Sequence, residues 1–212
     1  MTGEIIRSER LQIRRWCEAD IPRLFTMYAD AEVTRFLPEL AVSSLDEIRA
    51  RHPHLMATST RYGQGYGAWA AARLDSGLVV GLVLLKPLPD LSGQPSQDIE
   101  VGWHLARDSW GKGYATEMGA AALRHGFQRQ GLEHISAIAH PENTASFAVM
   151  QRLGMTEVGP NTAYYEGAPG SVYRITARQW RTPPAQHMPA ERSGAQRAAA
   201  PQSRSPADSA GT

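Results

Sequence analysis

Trp110-Gly111-Lys112-Gly113-Tyr114-Ala115-Thr116 owes its meaning to what flanks it. Before it, Ile99 to Leu105 has the pattern of a strand; after it, Ala115 to Gln130 has the composition of a long helix. Two glycines separated by one residue let the backbone turn freely and approach a ligand closely. A helix that starts directly after such a turn offers unpaired N–H groups and the positive end of its dipole, which together make a site for a pyrophosphate. Thr116 adds a hydroxyl donor.

Several nucleotide-binding patterns use this physics. A P-loop needs four residues between its first glycine and Gly-Lys, followed by Ser or Thr; here Lys112 is followed by Gly113 and no glycine stands at that distance before Gly111. A dinucleotide fold needs Gly-x-Gly-x-x-Gly near the first strand and an acidic residue ~20 positions on. Here the third position after Gly113 is Thr116, and the segment sits in mid-chain. A glycine turn with structural meaning alone stays open on this stretch. The second informative segment is Pro141-Glu142-Asn143-Thr144-Ala145-Ser146-Phe147-Ala148-Val149-Met150-Gln151-Arg152-Leu153-Gly154-Met155, which follows a strand pattern. Asn143 and Ser146 fall on one face of a first helical turn, where a polar pair suits an amide-containing ligand arm. Asn143 also reads as a simple N-cap, and the two roles are compatible.

Outward from these segments the chain alternates element types. Leu11–Arg14 reads as a half-exposed strand. Asp20 and Pro22 start a helix carrying Ile21, Leu24, Phe25 and Tyr28 on one face. Ser44-Leu45-Asp46-Glu47 matches a capping box for a second helix, which Pro53 ends or bends. Strands follow at Tyr66–Arg73 and Leu78–Leu85, the latter apolar enough for burial on both faces. Pro87 to Ser96 reads as a turn, His134–Ala139 as a strand, and Asn143–Leu153 as a helix closed by Gly154. Thr156–Val158 and Val172–Ala177 close the set.

At 212 residues with 42% hydrophobic side chains, the chain suits one domain with one core. Its 22 basic and 21 acidic residues leave a net charge of +1, so no global field recruits nucleic acid or an anionic membrane. Cys17 is the single cysteine, which excludes an internal disulfide and a multi-thiolate metal site. His52-Pro53-His54 has no convergent ligands, so no metal is expected. With no secretion signal or apolar span in view, the expected compartment is the cytoplasm. After Trp180 the composition shifts to Ala, Pro, Ser, Gln and Arg. A segment so poor in large apolar residues cannot offset an ordering entropy of ~1–2 kcal/mol per residue, so residues 181–212 read as a disordered tail behind a domain of residues 1–180.

Together these segments resemble the GNAT superfamily of N-acetyltransferases, whose pyrophosphate loop Gln/Arg-x-x-Gly-x-Gly/Ala aligns with Trp110-Gly111-Lys112-Gly113-Tyr114-Ala115. Trp110 departs from the usual Gln or Arg. The likeness is closer to the ribosomal-protein N-terminal acetyltransferases (RimJ/RimL type). It runs through Ser8-Glu9-Arg10-Leu11 with Arg14-Arg15-Trp16, Glu100-Val101-Gly102-Trp103-His104-Leu105, Trp110 to Glu117, Asn143-x-x-Ser146 and Leu153-Gly154-Met155. The fold this resemblance implies is α/β (α+β), the GNAT fold. Its mixed, mostly antiparallel sheet of six to seven strands is splayed between the fourth and fifth and flanked by about four helices.

The resemblance further implies acetyl-coenzyme A as co-substrate, lying in the splay between the strands at 99–105 and 134–139. Backbone groups of Trp103, His104 and Leu105 would pair with its pantetheine arm. Trp110, Gly111, Lys112, Gly113, Tyr114, Ala115 and Thr116 would form the pyrophosphate site, with Asn143 and Ser146 lining the arm opposite. The expected reaction is direct attack by a neutral amine, a small molecule or a protein N-terminus, in a ternary complex. An ammonium has no lone pair, so a base is needed. Glu100 is the best carboxylate, sharing a strand face with Gly102 and His104; His104 is the second candidate, and a backbone N–H near Trp103 or His104 would stabilise the oxyanion. Many members use a tyrosine as acid seven residues after the asparagine. Met150 stands there and cannot donate a proton, so Ser146 takes its place, ahead of Tyr164 or Tyr165. Trp69, Tyr164 and Tyr165 are the candidate acceptor-binding residues, with Trp69 reading equally as a core aromatic of its strand. The resemblance leaves a monomer or a homodimer equally open, and the rival reading is a non-catalytic acetyl-coenzyme A-binding regulatory module.

Overall fold

The computed structural model describes residues 3–181; apart from Arg181, the segment read as a tail lies outside the described residues. Eight strands form one sheet: β1 (Glu4–Arg7), β2 (Leu11–Arg14), β3 (Gly67–Arg73), β4 (Val79–Pro89), β5 (Pro95–Leu105), β6 (His134–Ala139), β7 (Thr156–Pro160) and β8 (Ser171–Thr176). Their spatial order is β1-β2-β3-β4-β5-β6-β8-β7. Every neighbouring pair is antiparallel except β5–β6, which is parallel and registered through the single pair Glu100↔Ser136. The splay therefore lies between the strands where the family resemblance implied it, β5 and β6. The strand count exceeds the expected six to seven because β1, with only Ile5 and Ile6 as apolar residues, has too short a pattern to read.

Four longer helices flank the sheet: α1 (Ile21–Tyr28), α3 (Leu45–Arg61), α4 (Tyr114–Gln128) and α5 (Thr144–Arg152). Two short ones are α2 (Ala31–Thr34) and α6 (Ala177–Arg181). The alternation of side chains along the strands sorts them into two apolar layers. On one face Leu11, Ile13, Trp69, Val83, Leu85 and Val101 pack with Met118, Leu123 and Phe127 of α4 and Val149 and Met150 of α5. On the other, Ala68, Ala70, Ala72, Leu82 and Leu84 pack with Ile21, Leu24 and Met27 of α1 and Ile48 of α3. β4 is thus buried on both faces, as its apolar run requires.

Three local expectations need correction. α3 continues through Pro53 to Arg61, so the helix does not end there; a proline costs about 3 kcal/mol inside an isolated helix, and the packing of Ile48 against the sheet works against that loss. The Pro87–Ser96 turn shrinks to residues 90–94, where Asp90 Oδ1 accepts from the N–H groups of Ser92 (2.8 Å) and Gln94 (3.0 Å). Asp20 occupies the N-cap of α1 without capping it, because its carboxylate turns back to Arg14 (2.7 and 2.9 Å) and the Cys17 N–H (2.9 Å).

Candidate active site

Among the described residues, Glu100↔Ser136 is the single pairing on the β6 side of β5. Ala106 N–H donates to Val80 O at 3.0 Å, which fixes the phase of the strand. By alternation His104 turns its main-chain groups to β4, opposite Leu82, while Trp103 and Leu105 turn theirs to the open edge. This corrects the expectation that all three backbones face a ligand. The Leu105 carbonyl is also taken, by the Trp110 indole Nε1–H at 3.0 Å. What remains open is Trp103 N–H and C=O with Leu105 N–H.

The parted strands leave a cleft of about 680 Å³. Trp103, His104 and Leu105 form one wall, and Asn143, Ser146 and Val149 form the other. Trp110, Gly111, Gly113, Tyr114, Ala115 and Thr116 close one end, and Val33, Phe36 and Leu37 reach over it. The Phe36 ring stacks on His140 across the splay, with centroids 5.1 Å apart.

The glycine loop takes the shape its composition allows. Gly111 and Gly113 have φ of +72° and +78°, and Gly113 is the N-cap of α4. Only glycine adopts that conformation without strain, and it aims the first-turn N–H groups of α4 at the cleft. Lys112 does not line the cleft: its ammonium donates to the Asp108 carbonyl at 2.7 Å, so of the expected loop residues it alone faces away. Asn143 is the N-cap of α5, its Oδ1 accepting from Ser146 N–H at 3.1 Å, which leaves its Nδ2 as the free donor. Met150 is 2% exposed and belongs to the core.

On the face that carries α1 and α3, Glu100 is 5% exposed and sits outside the cleft lining. Its Oε1 meets the Lys86 ammonium at 2.5 Å and accepts the Tyr165 hydroxyl. Lys86 faces Glu100 across the β4–β5 register. Tyr165 and Glu166 hold φ of +51° and +54°, a conformation costing roughly 1–2 kcal/mol per non-glycine residue. Asn161 clamps the loop: its Nδ2 donates to Tyr164 O (2.7 Å) and Ala168 O (2.9 Å). Tyr164 donates its hydroxyl to Asp98, which also takes His134 Nε2 at 2.8 Å. Burial, then the Glu100 charge, pushes the Tyr165 hydroxyl far up, so it stays a donor.

His104 lines the cleft, and its Nδ1 lies 2.9 Å from the Tyr28 hydroxyl. Burial and the nearby Lys86 charge push the imidazole down to about 4, so it is neutral at pH 7. Of the two readings of Trp69 the core one holds: it is 2% exposed, edge-on to His125 of α4, and outside the cleft lining. Lys86, Tyr28 and Phe36 were missed as site residues. A single charge inside the apolar run of β4 was the one legible hint, and it pointed to Lys86.

A family model described as an acetyltransferase (GNAT) domain matches residues 10–156. Over 169 residues the chain is 30% identical to the FsC-acetyl coenzyme A-N(2)-transacetylase of Aspergillus fumigatus, covering 74% of this chain and 71% of that protein. A GNAT-family acetyltransferase structure from Bacillus anthracis superposes with a TM-score of 0.68 at 24% identity, over 82% of this chain and 98% of that one. The fold is likewise shared by Mycobacterium smegmatis RimJ in complex with a coenzyme A disulfide, with a TM-score of 0.65 at 20% identity over 84% and 88% of the two chains. The chain belongs to the GNAT acetyltransferase family and is an acyltransferase enzyme.

Proposed function

We propose that this enzyme transfers the acetyl group of acetyl-coenzyme A to a primary amine in a ternary complex. The observation that carries the reading is the continuity of the cleft, from the unpaired edge of β5 to the free N–H groups that start α4. The fit is good in shape and in donors. A Cβ on Gly111 would meet nothing within 4 Å, so the loop leaves room for a bulky anion. Trp103 N–H and C=O and Leu105 N–H offer amide partners along the edge.

Bound there, acetyl-coenzyme A supplies an activated thioester carbonyl. The N–H groups of Gly111 and of Gly113 to Thr116 hold the pyrophosphate, Trp103 and Leu105 hold the arm, and Asn143 Nδ2 and Ser146 steady it from α5. The amine arrives from the opposite face, where α1 and α3 leave the Lys86–Glu100–Tyr165 group. Glu100 takes the ammonium proton, directly or by way of Tyr165, whose hydroxyl accepts one proton as it gives its own to Oε1. Lys86 balances the carboxylate in its buried setting. Ser146 Oγ gives its proton to the departing sulfur and takes in exchange, through water, the second proton that the acylated nitrogen loses as the amide forms, a relay the buried Met150 thioether cannot provide.

Two kinds of primary amine compete for the acceptor site. The resemblance segments favour a protein N-terminus, and the relative named for N(2) acetylation favours a small molecule. A thiol-release assay over ribosomal-protein N-terminal peptides, amino acids, polyamines and aminoglycosides decides between them. Turnover with one class supports the reading and names the acceptor. Coenzyme A binding with no turnover on any amine contradicts the transfer reaction, and no coenzyme A binding contradicts the donor as well.

A further inference from the structure

Ser8-Glu9-Arg10-Leu11 entered the family resemblance with no chemical role. The turn it forms between β1 and β2 lies against the start of α4, more than a hundred residues away in sequence. Arg10 main-chain N–H donates to Glu117 Oε1 at 2.7 Å, its Nε donates to Oε2 at 2.7 Å, and Ser8 Oγ donates to Oε1 at 2.8 Å. The same guanidinium donates through Nη1 to the Lys112 carbonyl at 3.1 Å and lies 4.7 Å over the Tyr114 ring. A Cβ on Gly113 would approach Arg10 Nη2 to 3.5 Å.

Glu117 is in the first turn of α4. A carboxylate there interacts with the positive end of the helix dipole, the same field a bound pyrophosphate needs. Burial raises the Glu117 carboxyl, but the Arg10 N–H, the Ser8 hydroxyl and the Arg10 guanidinium outweigh it and hold the group below its usual range. It is therefore charged at neutral pH, and on its own would repel a phosphate. From this arrangement we infer that Arg10 is a positioning residue for coenzyme binding: it cancels the Glu117 charge at the start of α4 and pins the glycine loop through the Lys112 carbonyl and the Tyr114 ring. The forked guanidinium makes both contacts at once, which an ammonium cannot do. Arg10 is not itself part of the cleft lining, which it reaches only through Tyr114 and the glycine loop, and it stands away from the reacting atoms, so its effect falls on donor affinity and not on the chemical step.

The inference rests on the acetyl-coenzyme A reading, and the test separates the two. Coenzyme A affinity is measured by calorimetry for the unsubstituted protein, Arg10→Met, Arg10→Lys and Arg10→Met/Glu117→Gln, with kcat at saturating acetyl-coenzyme A beside it. Arg10→Met is expected to weaken coenzyme A roughly tenfold with kcat changed less than about twofold. Arg10→Lys is expected to restore part of the affinity, and removing Glu117 in the Arg10→Met background to restore about threefold or more. If Arg10→Met does not fold, hydrogen exchange at Lys112 to Thr116 in coenzyme-free Arg10→Lys carries the test and should be faster than in the parent. Affinity within about twofold of the parent in Arg10→Met, a fall in kcat alone, or unchanged exchange in Arg10→Lys overturns the inference. An unsubstituted protein that binds no coenzyme A overturns the donor reading and this inference with it.

Discussion

The cleft beside β5 and the polar seam around Glu100 lie back to back on one strand, and they are built from different materials. The cleft is mainly main chain: a strand edge, a glycine turn and the start of a helix, drawn from the run 103–116 with Asn143 and Ser146 facing it. The seam is side chains, brought together from β4, β5 and the loop after β7, and closed by Tyr165 in a left-handed conformation. Main-chain recognition suits a ligand that must always be the same, because backbone geometry depends little on individual side chains. Side-chain recognition mounted on a loop suits a partner that varies between relatives.

Substitutions that break one region should spare the other. The largest effect is expected from Gly113→Glu, which forces a non-glycine residue to φ of +78° and sets a carboxylate where N–H groups gather. Coenzyme A affinity should fall by roughly a hundredfold or more; ordinary Michaelis behaviour toward acetyl-coenzyme A in that variant removes the loop from the site. Glu100→Gln should leave coenzyme A affinity unchanged and lower kcat at neutral pH by ~10²–10⁴, and an unaltered pH–rate profile takes Glu100 out of the mechanism.

Tyr165→Phe should act on the same seam more weakly. It removes one donor from a buried carboxylate, a loss of about 1.5–3 kcal/mol in stability by denaturant titration, with kcat reduced and coenzyme affinity retained. A change in coenzyme affinity instead would mean that the two regions are not separable.

The smallest effect concerns His104, which lines the cleft and holds Tyr28 of α1. Its folded value of about 4 lies below the unfolded value of 6.5, so the unfolded chain takes up the proton first. Stability from this residue is full above pH 6.5 and falls as pH drops from 6.5 to 4. Denaturation midpoints of His104→Gln should decline less steeply over that window than those of the parent. Equal slopes would show that the ring is not held neutral.

What was legible follows the same division. The glycine turn and the Asn143 cap could be read because each is local, its residues adjacent or a helical turn apart, whereas the splay between β5 and β6 came only from the family resemblance. Glu100 was found through strand alternation, yet its partner Lys86 depends on the β4–β5 register, which no local pattern states. Tyr28 was seen only as part of an apolar helix face, since its pairing with His104 needs α1 to be docked on the sheet. Trp69 was left open between channel and core for the complementary reason: alternation gives two faces, and only the docking of helices on both of them shows that β3 is buried on each. Pro53 marks a helix that continues through a residue whose local preference is to end it.

The most direct test is a crystal structure of the protein with coenzyme A. The account predicts the pantetheine arm along Trp103 and Leu105 on the open edge of β5. It places the pyrophosphate on the N–H groups between Gly111 and Thr116, and the sulfur toward the side of the sheet that carries Glu100. Coenzyme A bound elsewhere, or in the cleft with its pyrophosphate away from the start of α4, would contradict it.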